Sequence, residues 1–250
     1  MERVGYPSRS TMEGLEMKVL VACEESQRVC AAFRKRGHAA YSCDIIECSG
    51  GHPEWHILGD CLPLLDGNQQ FKTMDGKWHL VNQWDLLIAH PPCTYLTTCA
   101  NRAFSLNCTD PEKAVDRWKK RTEAAIFFMR FTSANSKKIV IENPVGIMNT
   151  AYRKADQIIH PYYFAKNEND FENYHQKRTC LWLFGLDPLK RITNLPKPGP
   201  KYISKGEKTK GKYVGWCEGI SGIKGGQQER AKARSKTFPG IAEAMAQQWG

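Results

Sequence analysis

The chain lacks the marks of several large protein classes. Its ten cysteines include no C-x-x-C pair, and Cys43, Cys48, Cys61, Cys93, Cys99 and Cys108 follow no recognised zinc spacing. At 250 residues it can bury a sizeable core without cross-links. A disulfide scaffold and a metal centre are therefore not expected, and a reducing compartment is. No apolar run approaches the ~20 residues of a membrane span, and Met1 to Met17 has no apolar core of signal-peptide length. These absences predict a soluble intracellular protein with no membrane partner. Also missing is a G-x-G-x-x-G fingerprint after the first apolar run, where Cys23-Glu24-Glu25-Ser26-Gln27 stands. That sequence argues against a pyrophosphate on the backbone there and favours a nucleoside cofactor without phosphates.

What the chain does have is positive charge, concentrated in one place. Thirteen of its 36 Lys and Arg, but four of its 26 Asp and Glu, lie between Leu186 and Lys236, which gives this segment +9 of the chain's net +10. Such a segment favours a polyanion. It also contains Tyr202, Tyr213, Trp216 and eight glycines, as suits a loop that follows phosphates while rings stack on bases. The alternative is a solvated basic loop with no partner.

Lys18-Val19-Leu20-Val21-Ala22 is a short apolar run, and Glu25 to Arg36 has helical composition closed by Gly37. A second strand ends at Asp44, an acid about 20 residues from the first turn, where an acid can accept from ribose hydroxyls. Asp60, after Ile57-Leu58-Gly59, is placed to reach an adenine amino group. Either aspartate could instead cap a helix. Gly67 to Lys77 reads as a polar excursion. Trp84-Asp85-Leu86-Leu87-Ile88-Ala89 reads as a buried strand, Pro111 to Phe131 as a helix packed on a sheet, and Lys138-Ile139-Val140-Ile141 as a further strand. Alternating strands and helices predict a mostly parallel, doubly wound α/β sheet. His52 and His56 have metal-like spacing, but Gly50-Gly51 and Pro53 make them loop histidines. Tyr162-Tyr163-Phe164 reads as core or a loop anchor.

The most informative residues are His90-Pro91-Pro92-Cys93. They present a thiol at the carboxyl end of a buried strand, the rim where open α/β sheets bind ligands, on a backbone stiffened by two prolines. The competing reading is a buried turn cysteine. Glu142-Asn143-Pro144 reaches the same rim, as an acid or simply the start of a turn. Arg178 is a candidate anion partner or one half of a surface ion pair.

The order of these motifs, from an acid-ended strand through Gly59-Asp60, Pro91-Pro92-Cys93 and Glu142-Asn143-Pro144 to Gln176-Lys177-Arg178-Thr179, resembles the cytosine carbon-5 DNA methyltransferases and their short phage-type members. The resemblance spans Val19 to Arg178 and resumes at Thr237-Phe238-Pro239-Gly240, which looks like the C-terminal helix that returns to the first strand. It implies a Rossmann-like S-adenosylmethionine-dependent methyltransferase fold. Residues 1–16 would be a polar tail, 17–185 the catalytic domain, 186–236 a short basic DNA-contacting segment and 237–250 the returning helix. Also implied are a monomer, DNA methylation of duplex or single strands, and action in the cytoplasm, that of a bacterial host if the chain is viral.

The chemistry explains the set. Carbon 5 of cytosine is a poor nucleophile until a thiolate adds at carbon 6, the role implied for Cys93. Glu142, as a carboxyl group of raised pKa, would serve ring nitrogen 3 and the amino group. Arg178 would hold the base carbonyl or a phosphate, and the base must leave the stack. The resemblance assigns cofactor contacts to Cys23, Glu24, Asp44, Ile45, Asp60, Cys61 and Pro91. DNA contacts fall to Gln176, Lys201, Lys205, Lys208, Lys210, Lys212 and Arg230. The chain departs from the pattern in its first motif, in Cys180, which stands where a second arginine is expected, and in the short stretch between Gly185 and Thr237. Low or very short sequence specificity follows. Two other functions remain open: an amino-group DNA methyltransferase, disfavoured by Cys93 where an aromatic ring would follow Pro-Pro, and a catalytically silent nucleic-acid-binding protein.

Overall fold

The computed structural model describes residues 16–105, 107, 110–200, 202–203, 211–214 and 226–250. The apolar runs become strands β1 (Lys18–Ala22), β2 (Ala39–Asp44), β3 (His56–Leu58), β6 (Trp84–Ala89) and β7 (Ser136–Pro144). A hairpin of β4 (Gln69–Lys72) and β5 (Trp78–Val81) lies between β3 and β6, and β8 (Gln157–Ile159) and β9 (Thr179–Phe184) follow β7. A separate two-stranded piece pairs β10 (Tyr202–Ile203) with β11 (Tyr213–Val214). The helices are α1 (Arg28–Arg34), α2 (Pro111–Thr132), α3 (Met148–Ala151), α4 (Gly226–Ser235) and α5 (Pro239–Trp249).

Seven strands form one mixed, mostly parallel sheet in the order β3-β2-β1-β6-β7-β9-β8. From β3 to β7 every pairing is parallel, whereas β9 runs antiparallel to both of its neighbours. The architecture is compatible with a Rossmann-like fold. Alternation along the strands explains why both faces are covered. Val19, Val21, Leu86, Ile88 and Val140 point to one side, into a core shared with Val29 and Phe33 of α1 and with Ile241, Met245 and Trp249 of α5. Leu20, Leu87, Ile139, Ile141 and Trp182 point to the other, against Phe128 and Phe131 of α2. Helix α2 starts where its sequence says it should, with Asp110 accepting from the Glu112 N–H at 2.9 Å and Pro111 in the first turn.

Two local expectations change. Helix α1 begins three residues later than its composition suggests, because Cys23 and Gln27 adopt left-handed backbone conformations that keep Glu24 to Gln27 in a turn. The polar excursion from Gly67 to Lys77 is instead part of the β4–β5 hairpin, turned at Asp75-Gly76 with Gly76 at φ +89°. Phe71 of β4 and Val81 of β5 anchor it in the core.

Candidate functional site

The carboxyl ends of β1, β2, β6 and β7 meet at one rim, and β1 to β6 is where the chain order reverses across the sheet. Ligands of open α/β sheets bind at such switch points. His90 continues the ladder past β6 by donating its N–H to the Ala22 carbonyl at 2.9 Å. Pro91 is buried, and its carbonyl accepts from Asn143 Nδ2 at 2.7 Å, which ties the Pro-Pro-Cys turn to β7. The Cys93 carbonyl then accepts from the N–H groups of Leu96 (3.0 Å) and Thr97 (3.1 Å). Buried Arg121 of α2 donates to the Tyr95 carbonyl at 2.8 Å and stacks over Phe104. The loop is thus fixed from both sides. Cys93 is half-buried and outside any disulfide, on the rim rather than inside the core.

Gly146 makes this arrangement sterically possible. A Cβ there would lie 2.1 Å from the Leu96 carbonyl oxygen, which itself accepts from Ile147 N–H at 2.8 Å.

Glu142 follows Ile141 on β7, and because Ala89 pairs with Ile141, His90 and Glu142 stand side by side on the face that carries α1. His90 Nδ1 lies 3.3 Å from Glu142 Oε2, with the side chains 8% and 18% exposed. Burial drives the Glu142 pKa up, but the His90 hydrogen bond and charge, the Lys177 charge and a Thr179 hydrogen bond outweigh it and hold the carboxyl below its ordinary value. The raised pKa expected of Glu142 is therefore not found, and the reason is His90. Arg178, expected beside the base, is exposed. Its neighbour Lys177 is the cation whose charge acts on both Glu142 and His90. Lys177 Nζ also donates to the Arg234 carbonyl at 2.9 Å.

On the half of the rim expected to meet a cofactor, Asp44 closes β2 half-exposed, and one of its oxygens accepts from Ile46 N–H at 3.2 Å. Burial raises its pKa, opposed by the backbone hydrogen bond and His56. Ile45 beside it is 78% exposed, an apolar surface at the rim with no core partner. Asp60 is exposed and uses one oxygen to cap the turn at Leu62 N–H (2.9 Å). Cys23 and buried Cys61 have their sulfurs 3.9 Å apart, and the Cys61 contact together with burial drives the Cys23 thiol well above its usual range.

Glu24, expected as a cofactor contact, is buried. Its carboxylate turns inward and accepts from the N–H groups of Val29 (2.7 Å) and Cys30 (3.1 Å) at the start of α1. A resident carboxylate thus occupies the anion seat that glycine-rich loops leave for a phosphate. This accounts physically for the missing fingerprint.

The basic segment is described in part. Lys201, Lys205, Lys208, Lys210 and Trp216 lie outside the described residues, as does the side chain of Arg230 in α4. Lys212 and Tyr213 are exposed at β11. Gln176 is committed to structure, donating to the Pro198 carbonyl. Sequence reasoning passed over a cleft of about 450 Å³ lined by Arg28, Phe171, Glu172, His175, Glu229, Lys232, Ala233, Lys236 and Phe238. Phe171 is 80% exposed at its edge. Arg28 ties this side to the C-terminal segment by donating to the Thr237 carbonyl at 2.8 Å.

Among the described residues, no group of three or more His, Cys, Asp or Glu could hold a metal ion, and no helix is long and apolar enough to cross a membrane. His56, read from the sequence as a loop histidine, instead opens β3, where Ser42 Oγ (2.8 Å) and the Ile46 carbonyl (3.0 Å) engage its two ring nitrogens. No family model matches this sequence, and no curated protein matches it.

Proposed function

We propose that this protein is an S-adenosylmethionine-dependent DNA methyltransferase that acts on carbon 5 of cytosine through Cys93. The observation that carries the reading is the placement of Cys93 and Glu142 on adjacent loop and strand ends at the switch-point rim. The sheet, parallel through β7 with a reversed β9, accords with such a methyltransferase domain.

The residues on the other half of the rim suit the cofactor. Asp44 has a free carboxylate edge for ribose hydroxyls, and exposed Ile45 offers an apolar face to an adenine. Glu24, seated on α1, disfavours a phosphate and so favours a cofactor without one. The bound cofactor would supply an electrophilic sulfonium methyl group.

The protein's own groups would then act in sequence. The Cys93 thiolate adds to carbon 6 of a base taken out of the stack, forming a carbon–sulfur bond and making carbon 5 electron-rich. The largely buried Glu142 carboxylate accepts from the amino group, and from ring nitrogen 3 once that nitrogen has taken a proton from solvent as Cys93 adds. After carbon 5 gains the methyl group, a water molecule takes the carbon 5 proton, the electron pair restores the 5,6 double bond, and Cys93 is expelled as its thiolate. Lys177, Lys232, Lys236 and Arg28 provide cations for the flanking phosphates, and Phe171 an exposed ring for a neighbouring base.

The test is mass spectrometry of nucleosides from DNA incubated with protein and isotopically labelled cofactor, with trapping on DNA containing 5-fluorocytosine. Labelled 5-methylcytosine and a covalent adduct lost in Cys93→Ala are expected. An N-methylated base would point to the amino-group reading, and no cofactor binding by calorimetry to a silent DNA-binding protein. Either outcome would overturn the proposal.

A further inference from the structure

We propose that His90 is a positioning residue of this site, an imidazole locked against Glu142 that fixes the orientation and charge of the carboxylate meeting the base. The inference rests on the function proposed above. It also rests on geometry that is independent of that function.

The two side chains are adjacent because β6 and β7 are parallel and in register, with Ala89 opposite Ile141. They project to the same face and meet at 3.3 Å through Nδ1 and Oε2. The His90 side chain is 92% buried, and its Nε2 is sealed from solvent without a hydrogen-bond partner. Because Nε2 is sealed in, His90 reaches substrate through Glu142. A buried imidazole with one nitrogen unsatisfied is costly, and its Glu142 contact is the evident compensation.

The surrounding charges favour an imidazolium–carboxylate pair. Glu142 lies on one side of His90. On another is Glu24, at the start of α1, which burial itself pushes toward neutrality. From the loop before β9, Lys177 opposes the imidazolium and supports the carboxylate, while Thr179 hydrogen-bonds Glu142 and Cys180 lies within reach of its charge. Burial pushes the His90 pKa down, but the Glu142 hydrogen bond and charge, with Glu24, prevail and raise it. The pair is therefore charged from below the ordinary carboxylate value to above the ordinary imidazole value. As pH rises through the His90 value the imidazolium is lost, and Glu142 is left largely buried with the more distant Lys177 charge alone to support it.

Two measurements test this. Nitrogen-15 histidine spectra of the whole protein should show one ring, identified by its absence in His90→Asn, that titrates above the ordinary histidine value of ~6.5 and falls back toward it in Glu142→Gln. In single-turnover methyl transfer, His90→Ala should lower the rate by ~100-fold, in the range of a lost acid–base contribution, with cofactor affinity unchanged. His90→Asn keeps an N–H donor near the Nδ1 position, so it should recover part of that loss while lacking the wild-type decline at alkaline pH. A His90 ring that titrates at the ordinary value, or a His90→Asn variant with the wild-type pH profile, overturns the proposal. If His90→Ala fails to fold, the titration and His90→Asn still decide. A raised titration in a wild-type protein that methylates nothing would sink the methyltransferase function while leaving the pair established.

Discussion

Replacing Gly146 with alanine tests whether the Cys93 loop is held as described. The added methyl group would sit 2.1 Å from the Leu96 carbonyl oxygen, 2.8 Å from its carbon and 3.2 Å from Thr97 Cα. All three are backbone atoms, so the strain cannot be relieved by a side-chain rotation. Overpacking of this kind costs ~1–3 kcal/mol, and losing the hydrogen bond from Ile147 N–H to the Leu96 carbonyl adds ~1 kcal/mol. Against this, replacing glycine reduces the entropy of the unfolded chain and returns ~0.4–1 kcal/mol. The steric cost prevails, leaving a net destabilisation of ~1–3.6 kcal/mol. The displacement should also reach Cys93, whose carbonyl accepts from both Leu96 and Thr97. A shift of ~1 Å at a reacting atom costs ~100-fold in rate. Urea denaturation and trapping on 5-fluorocytosine DNA measure the two effects, and cofactor affinity by calorimetry should stay within about twofold of wild type because the perturbation is remote from Asp44. A Gly146→Ala protein with wild-type midpoint and trapping rate would refute the close approach and its coupling to Cys93.

Three further outcomes follow from the same geometry. Asp44→Ala should weaken cofactor binding by ~10–100-fold, the worth of a hydrogen bond to a charged group, and unchanged affinity in calorimetry would remove Asp44 from the cofactor side. Burial raises the pKa of Glu24, so its contribution to stability is fully present below its ordinary value of 4.5 and is lost as pH rises through the folded value. Glu24→Gln should therefore show a smaller loss of stability between pH 4.5 and 8 than wild type in urea titrations, and an equal loss would contradict the burial argument. Lys232→Ala with Lys236→Ala should reduce the salt dependence of DNA binding by ~2 in the slope of log K against log salt, and an unchanged slope would place the phosphates elsewhere.

Much of the sheet was legible because its central strands are continuous apolar runs, and burial on both faces leaves little else such runs can be. The rim was legible in outline for a related reason: Asp44 and Glu142 come at the ends of strand-forming runs, and Cys93 lies four residues past Ala89. The contacts that give those residues their character were hidden. Nothing in the local sequence pairs His90 with Glu142, which lies 52 residues away and reaches it through strand register. That pairing turned an expected raised carboxyl into a lowered one. Lys177 was passed over in favour of Arg178, since one residue of offset at the entry to β9 decides which cation turns inward. The β4–β5 hairpin did leave a signal, Asp75-Gly76 between two extended segments. One buried side chain in each strand, Phe71 and Val81, was too little periodicity to read as a strand.

The outer strands of the sheet, β3 and β8, are each three residues long. An incoming chain finds few backbone groups there on which to build another strand, although Leu58 and Ile158 expose apolar surface at those margins. Short borders of this kind guard against edge-to-edge growth into aggregates. The carboxyl-end rim thus lies between flanks that offer few backbone groups for a further strand.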